Sequence, residues 1–110
     1  MIASPWPFAQ WGIDIVNPLP QGKGQVKFLL VAIDYFTKWV EAEALATITE
    51  ALATITEARI RSFVWKHIIC RFGIPLTIIS DNERQFDSQG FRDFYSSLGI
   101  KNQFSSPGHP

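Results

Sequence analysis

The almost unbroken apolar run VKFLLVAI, at residues 26–33, constrains the fold more than any other segment. It is much shorter than the ~18 residues of a membrane span, so it predicts a nearly continuous apolar strand. The glycine-containing segment 21–25 predicts a turn back to an earlier strand, WGIDIV at residues 11–16. The segment DYFTK predicts a hairpin connection to a third strand around Trp39 and Val40. Such short links favour three antiparallel strands.

The rest of the chain alternates helices with strands. Gly73 ends a predicted first helix, whose apolar stripe consists of Ile60, Phe63, Val64 and Ile68. A buried strand follows at residues 76–80. The second helix has Asp87 or Ser88 as its cap and ends at Gly99, before a last strand in IKNQFSS. Because helical crossovers leave strands parallel, the predicted class is α/β with a mixed five-stranded sheet: three antiparallel strands, then helix, strand, helix and strand.

The heptad ALATITE occurs twice in succession, at residues 44–50 and 51–57. Each copy contains a T-x-x-E capping box, so either could begin the first helix: Thr47 with Glu50, or Thr54 with Glu57. Two short copies are too few for a solenoid. We expect a local tandem duplication in the connection before the first helix, where inserted length is tolerated.

Composition indicates a single globular domain without a general affinity for nucleic acid. The 110 residues are 46% hydrophobic and carry a formal net charge of 0, whereas free-standing nucleic-acid-binding domains usually have a basic excess. Any contact with DNA must therefore be local or come from other domains. Cys70 is the only cysteine, which excludes an internal disulfide and a cysteine-rich zinc site and favours an intracellular protein. The segment MIASPWPF lacks the features of a signal peptide, and no apolar run is long enough for a membrane span.

Two aspartates are candidates for metal-dependent chemistry. Asp14 lies in an apolar strand with no basic neighbour in sequence, where an ionised carboxylate needs a partner. Asp81 follows a parallel-type strand, at the carboxyl end where open α/β sheets place ligands. Mg²⁺ between the two carboxylates would suit phosphodiester chemistry. The residues alone leave an equal alternative, in which Asp14 faces solvent and Asp81 makes an Asx turn.

Three other features are expected to be structural. Asp34 also lies in an apolar strand and could be a third ligand, but its place before the YFTK turn favours a turn role. His67 is a lone histidine on the first helix, and such residues are more often packed or solvated than ligands. The basic residues of that helix form a stripe that is usually a solvated face: Arg59, Arg61, Lys66 and Arg71.

Four segments resemble the catalytic core of a retroviral-type integrase, most closely those of gypsy-type long-terminal-repeat retrotransposons: WGIDIVNPLP, FLLVAIDYFTKW, RFGIPLTIISDNERQF and FSSPGHP. The resemblance extends from about Ser4 to Pro110. It implies a ribonuclease-H-like fold in which two aspartates and one glutamate hold two Mg²⁺ or Mn²⁺ ions. These ions activate water or a 3′-hydroxyl for attack on DNA. Asp14 matches the first aspartate of the family and Asp81 the second.

The chain departs from the family pattern at several positions. The family's glutamate would fall at position 117, so residues 1–110 are expected to be a partial core without the third carboxylate and the C-terminal helices. Glu83 stands where glycine is usual, which would place a bulky anion beside the metal and the phosphate. Asn17 also replaces a usual glycine, with less effect because asparagine tolerates left-handed backbone angles.

The resemblance also implies partners and further contacts. Candidate nucleic-acid contacts are Asn82, Arg84 and His109. The expected partners are the DNA ends of the element, target DNA and a second copy of the chain, and the expected compartment is the nucleus. Two alternatives remain open: an inactive remnant that at most dimerises or binds nucleic acid weakly, and a ribonuclease-H-like nuclease unrelated to integration.

Overall fold

Five strands form one mixed sheet in a computed structural model of the chain, which describes residues 5–20, 26–47, 57–80, 86 and 88–105. In chain order the strands are β1 (Gln10–Pro20), β2 (Val26–Asp34), β3 (Val40–Thr47), β4 (Thr77–Ser80) and β5 (Lys101–Phe104). Across the sheet their order is β3-β2-β1-β4-β5. The first three pair antiparallel, whereas β4 pairs parallel with β1 and β5 parallel with β4. The predicted mixed five-stranded sheet is confirmed.

Strand β1 continues past the point where the sequence predicts its end. The sequence predicts a strand at residues 11–16, yet β1 runs to Pro20. The register with β2 shifts between Val16 and Leu19. Proline has no backbone N–H to donate to the neighbouring strand. A strand can accommodate a proline where its pairing is irregular.

The first helix covers residues 57–72 in three consecutive parts. These are an α-helical part (Glu57–Phe63), a π-helical part (Val64–Ile69) and a short α-helical part (Cys70–Phe72). The backbone N–H of Cys70 donates to the carbonyl of Trp65, which is the wider spacing of a π-helix. Gly73 ends the helix with a φ of 97°, as its sequence position predicts. The four apolar residues of the predicted stripe are all fully buried.

The duplicated heptad does not lie wholly in the connection before this helix. Thr47 is the last residue of β3 and pairs with Val26, so the prediction that it could begin the helix is wrong. The first copy enters the strand because ladder pairing with β2 outweighs the local capping signal. In the second copy Glu57 begins the helix, and its carboxylate accepts a hydrogen bond from the Ser88 hydroxyl. Thr54 lies outside the described residues.

The second helix spans Gln89–Leu98. The Ser88 hydroxyl caps it by accepting from the backbone N–H of Phe91 at 3.2 Å, and Gly99 ends it with a φ of 73°. The prediction that Asp87 or Ser88 caps this helix is thus settled for Ser88, while Asp87 lies outside the described residues.

Both helices pack against one face of the sheet. The core between them includes Trp11, Leu30 and Ile78 from the strands and Phe63 and Phe91 from the helices, all fully buried. On the opposite face Val40 is half exposed, and no helix within the described ranges covers that face. None of the described helices has the length and apolar character that a bilayer crossing requires.

Candidate active site

A shallow pocket of about 280 Å³ lies on the open face of the sheet. Its walls come from the three adjoining strands β2, β1 and β4, from Tyr35 directly after β2 and from Ser105 directly after β5. The lining residues are Gly12, Ile13, Asp14, Val31, Ile33, Tyr35, Ile79, Ser80 and Ser105. The pocket therefore lies across the centre of the sheet, where β1 pairs with both of its neighbours.

Asp14 is the acidic residue of this pocket. Side chains alternate along β1, so Ile13 enters the core while Asp14 lies on the open face and is exposed. Its Oδ1 accepts a hydrogen bond of 2.9 Å from the backbone N–H of Ile15. Its Oδ2 has no hydrogen-bond partner among the residues that the structure describes. Asp14 thus presents a carboxylate oxygen to a ligand in the pocket.

The carboxyl end of β4 borders the same pocket. Ser80, the last residue of β4, is aligned with Ile13 in the parallel pairing. The backbone N–H of Ser105 donates to the Ser80 carbonyl at 2.8 Å, which holds the end of β5 beside it. The predicted contacts Asp81, Asn82, Arg84 and His109, together with Glu83, lie outside the described residues.

Asp34 is a structural residue, as the sequence predicts. Its side chain is fully buried, and its Oδ1 accepts from the backbone N–H of Phe8 at 3.0 Å. Its Oδ2 accepts from both the backbone N–H and the hydroxyl of Thr37, at 2.8 and 2.6 Å. The carboxylate is occupied by the turn that follows β2 and is not available to a metal ion.

Tyr35 is a pocket residue that the sequence analysis missed. Its hydroxyl lies so close to β1 that a Cβ atom at Gly12 would come within 2.6 Å of it. Burial raises the pKa of Tyr35, so the hydroxyl stays protonated at neutral pH. The signal that could have revealed this contact is the glycine inside an apolar strand, which often marks a close approach.

A second cluster of charged residues lies outside the pocket, between β3 and the π-helical part of the first helix. His67 lies between two carboxylates, 3.0 Å from Glu41 and 3.0 Å from Glu43. Burial opposes ionisation of Glu41, but hydrogen bonds from Trp39 and His67 and the charge of Arg71 lower its pKa overall. His67 was expected to be packed or solvated, and these contacts show it packed between β3 and the helix.

The described residues offer only part of a divalent metal site. Mg²⁺ takes oxygen ligands and is commonly bound by one or two carboxylates. Asp14 supplies one such carboxylate on an accessible surface. Within the described ranges there is no group of three or more histidine, cysteine, aspartate or glutamate residues that could hold a metal ion. Any further carboxylate ligand would come from outside these ranges.

Comparisons with known proteins identify the family of this chain. The model of the integrase core domain family matches residues 5–110. The Tf2-3 and Tf2-4 transposon polyproteins of Schizosaccharomyces pombe are each 30% identical over 104 residues, which is 94% of this chain and 7% of each polyprotein.

Solved structures show the same fold. The HTLV-2 integrase catalytic core domain, solved with magnesium in a dimeric form, is 25% identical with a TM-score of 0.75. That match covers 96% of this chain and 65% of the other. The simian T-cell lymphotropic virus intasome in complex with PP2A regulatory subunit B56 gamma gives 26% identity and a TM-score of 0.77 over 94% of this chain and 34% of the other. The chain has the ribonuclease-H-like fold, and it belongs to the integrase core domain family.

Proposed function

We propose that the open-face pocket is the active site of a retrotransposon integrase core, which cuts DNA strands and joins them to target DNA with the help of a divalent metal. The observation that carries this proposal is the exposed Asp14 carboxylate, which has an unpartnered oxygen among the described residues and lies in a pocket at the centre of the sheet. The exposed carboxylate is solvated, and its unpartnered oxygen can act as a ligand for a divalent cation.

Asp81 is the proposed second ligand. Ile13 aligns with Ser80 in the parallel pairing of β1 with β4. If the register continues by one residue, Asp14 comes opposite Asp81, the next residue in the chain. Two like charges on adjacent strands repel, and a divalent cation between them removes that repulsion.

The bound metal would supply Lewis-acid activation of a phosphodiester and of the attacking oxygen. Magnesium is present in the HTLV-2 integrase core to which this chain is similar. The described part of the chain contributes Asp14 as a ligand, and the apolar residues Val31, Ile33 and Ile79 also line the pocket.

Calorimetric titration with Mn²⁺ tests the proposal. We expect weak binding by the wild-type chain and its loss in Asp14→Asn and in Asp81→Asn, because each variant removes one proposed ligand without changing shape. Asp93→Asn is the matched control, because Asp93 is an exposed aspartate on the second helix that accepts a hydrogen bond from Gln89. Glu83→Gly should bind nearly as the wild type does. Equal binding by wild type and Asp14→Asn would contradict the proposal.

A further inference from the structure

We propose that Tyr35 and Lys38 form a phosphate-binding subsite next to Asp14, which holds one backbone phosphate of a DNA strand lying in the pocket. This inference rests on the proposed function, since it takes DNA as the ligand. It adds two residues for which neither the sequence motifs nor the metal chemistry provides a role.

The position of the Tyr35 hydroxyl depends on Gly12. Tyr35 follows β2, and its backbone N–H donates to the carbonyl of Gln10 at 3.1 Å, which ties the residue to the start of β1. The ring then lies over Gly12, where a Cβ atom would be 2.6 Å from the hydroxyl oxygen and 3.0 Å from the adjoining ring carbon. Any other residue at position 12 would displace the ring. The glycine therefore allows a hydroxyl to lie against the pocket floor.

Lys38 places a positive charge beside the same ring. Its Nζ donates to the Tyr35 carbonyl at 2.8 Å and lies 6.0 Å from the centre of the Tyr35 ring. An ammonium group has three donors, so two remain for a ligand. The residue itself has a φ of 67°, and its backbone N–H donates to the Asp34 carbonyl at 2.8 Å. The buried Asp34 turn thus fixes where the charge lies.

These groups match the chemistry of a phosphate and not that of a metal ion. A phenol hydroxyl and an ammonium both donate hydrogen bonds, and a phosphodiester oxygen accepts them. Burial raises the pKa of Tyr35, which keeps its hydroxyl a donor. Because the formal net charge of the chain is 0, a local group of this kind would supply attraction for DNA that the chain as a whole does not provide.

The subsite is separate from the Asp14 carboxylate but lies in the same pocket. Asp14 and Gly12 are two residues apart on one face of β1, a separation of roughly 6 to 7 Å in a strand. The Tyr35 hydroxyl lies beside Gly12, whereas Asp14 accepts its hydrogen bond from the backbone N–H of Ile15. The two groups are close enough for one DNA strand to contact both. A DNA strand in the pocket would then meet a cation at Asp14 and a hydrogen-bond donor for a phosphate at the Tyr35 hydroxyl, with the Lys38 ammonium group beside the Tyr35 ring.

Fluorescence anisotropy with a labelled single-stranded oligothymidylate, in EDTA and low salt, tests the subsite without any metal. We expect Lys38→Asn to weaken binding about threefold to tenfold and to reduce the slope of log K against log salt by about 0.7, the value for one lost phosphate contact on a single strand. Asparagine is chosen because it tolerates a positive φ. We expect Tyr35→Phe to weaken binding roughly threefold to tenfold, the range for a lost hydrogen bond, without changing the slope.

Lys66→Gln is the matched control, because Lys66 is an exposed lysine on the first helix, 3.9 Å from Glu43 and away from the pocket. It should bind as the wild type does. Unchanged binding by both pocket variants, or an equal loss in Lys66→Gln, would overturn the subsite, as would absence of binding by the wild type. Because Mn²⁺ titration of the same variants reports on Asp14 alone, failure of the subsite is distinguishable from failure of the proposed active site.

Discussion

Asp14 and Asp34 lie on neighbouring strands of the same sheet and have opposite environments. Asp34 is at the end of β2, on the face that carries Phe28, Leu30 and Ala32 into the core, and it is fully buried. Asp14 is on β1, one residue after the buried Ile13, and it is exposed on the other face. Because side chains alternate between the two faces of a sheet, a carboxylate's position along its strand decides whether it stabilises the fold or is available to a ligand.

The difference extends to what each carboxylate binds. Both oxygens of Asp34 accept hydrogen bonds from within the chain, and these bonds connect the turn after β2 to the N-terminal segment through Phe8 and Thr37. Asp14 accepts a bond from its own neighbour Ile15. A saturated carboxylate contributes to stability, and an unsaturated one is available for function.

The largest effect is expected for Asp34→Ala. The substitution leaves the N–H of Phe8 and the N–H and hydroxyl of Thr37 without their acceptor, which should cost about 2–4 kcal/mol. Urea denaturation measures the change in the free energy of unfolding. Thr37→Ala keeps the carboxylate but removes the hydroxyl that donates to Asp34 and accepts from the Trp39 N–H, and it should cost about 1–2 kcal/mol. If Asp34→Ala lowered the free energy of unfolding by less than Thr37→Ala does, the turn would not depend on this carboxylate.

An intermediate, pH-dependent effect is expected at Glu41, which is 6% exposed. Its pKa is lowered in the folded chain, so the ionised form stabilises the fold above the unfolded-state pKa and that stabilisation is lost as pH falls through the folded-state pKa. Near neutral pH, Glu41→Gln should lower the free energy of unfolding by roughly 1–2 kcal/mol. The difference from wild type should shrink as the pH is lowered below about 4.5. Urea denaturation across that range, with the exposed Asp93→Asn as control, provides the check, and a constant difference would contradict it.

Much of the fold follows from the sequence because local sequence signals and the observed packing of the side chains agree. The turn chemistry at Asp34 and Thr37, the cap at Ser88 and the buried stripe of the first helix all agree with their local signals. These features depend on neighbours in sequence, which periodicity and capping rules describe well.

The features that could not be predicted depend on contacts distant in sequence. Thr47 carries a helix-capping signal, yet it pairs with Val26 in the sheet. The first helix contains a π-helical part, but the spacing of its apolar residues in the sequence does not distinguish this part from an ordinary α-helix. In the candidate site, motifs identify Asp14, but only the fold brings Tyr35 over Gly12, since a glycine in a strand does not specify its neighbour.

The smallest effect on stability is expected for Asp14→Asn, and it is the strictest test of the comparison. The substitution is isosteric, the side chain is exposed, and an asparagine oxygen can still accept from the N–H of Ile15. The free energy of unfolding should therefore change by no more than about 0.5 kcal/mol in EDTA, whereas the equally isosteric Asp34→Asn should lose several times as much. Adding Mn²⁺ should then raise the thermal midpoint of the wild type but not of Asp14→Asn, because only a native state that binds the ion gains stability from it. Thermal unfolding of the three proteins with and without Mn²⁺ separates the roles. If Asp14→Asn proved as destabilising as Asp34→Asn, Asp14 would be a residue of the fold, and a site for a cation would no longer be needed to explain an exposed carboxylate at the centre of the sheet.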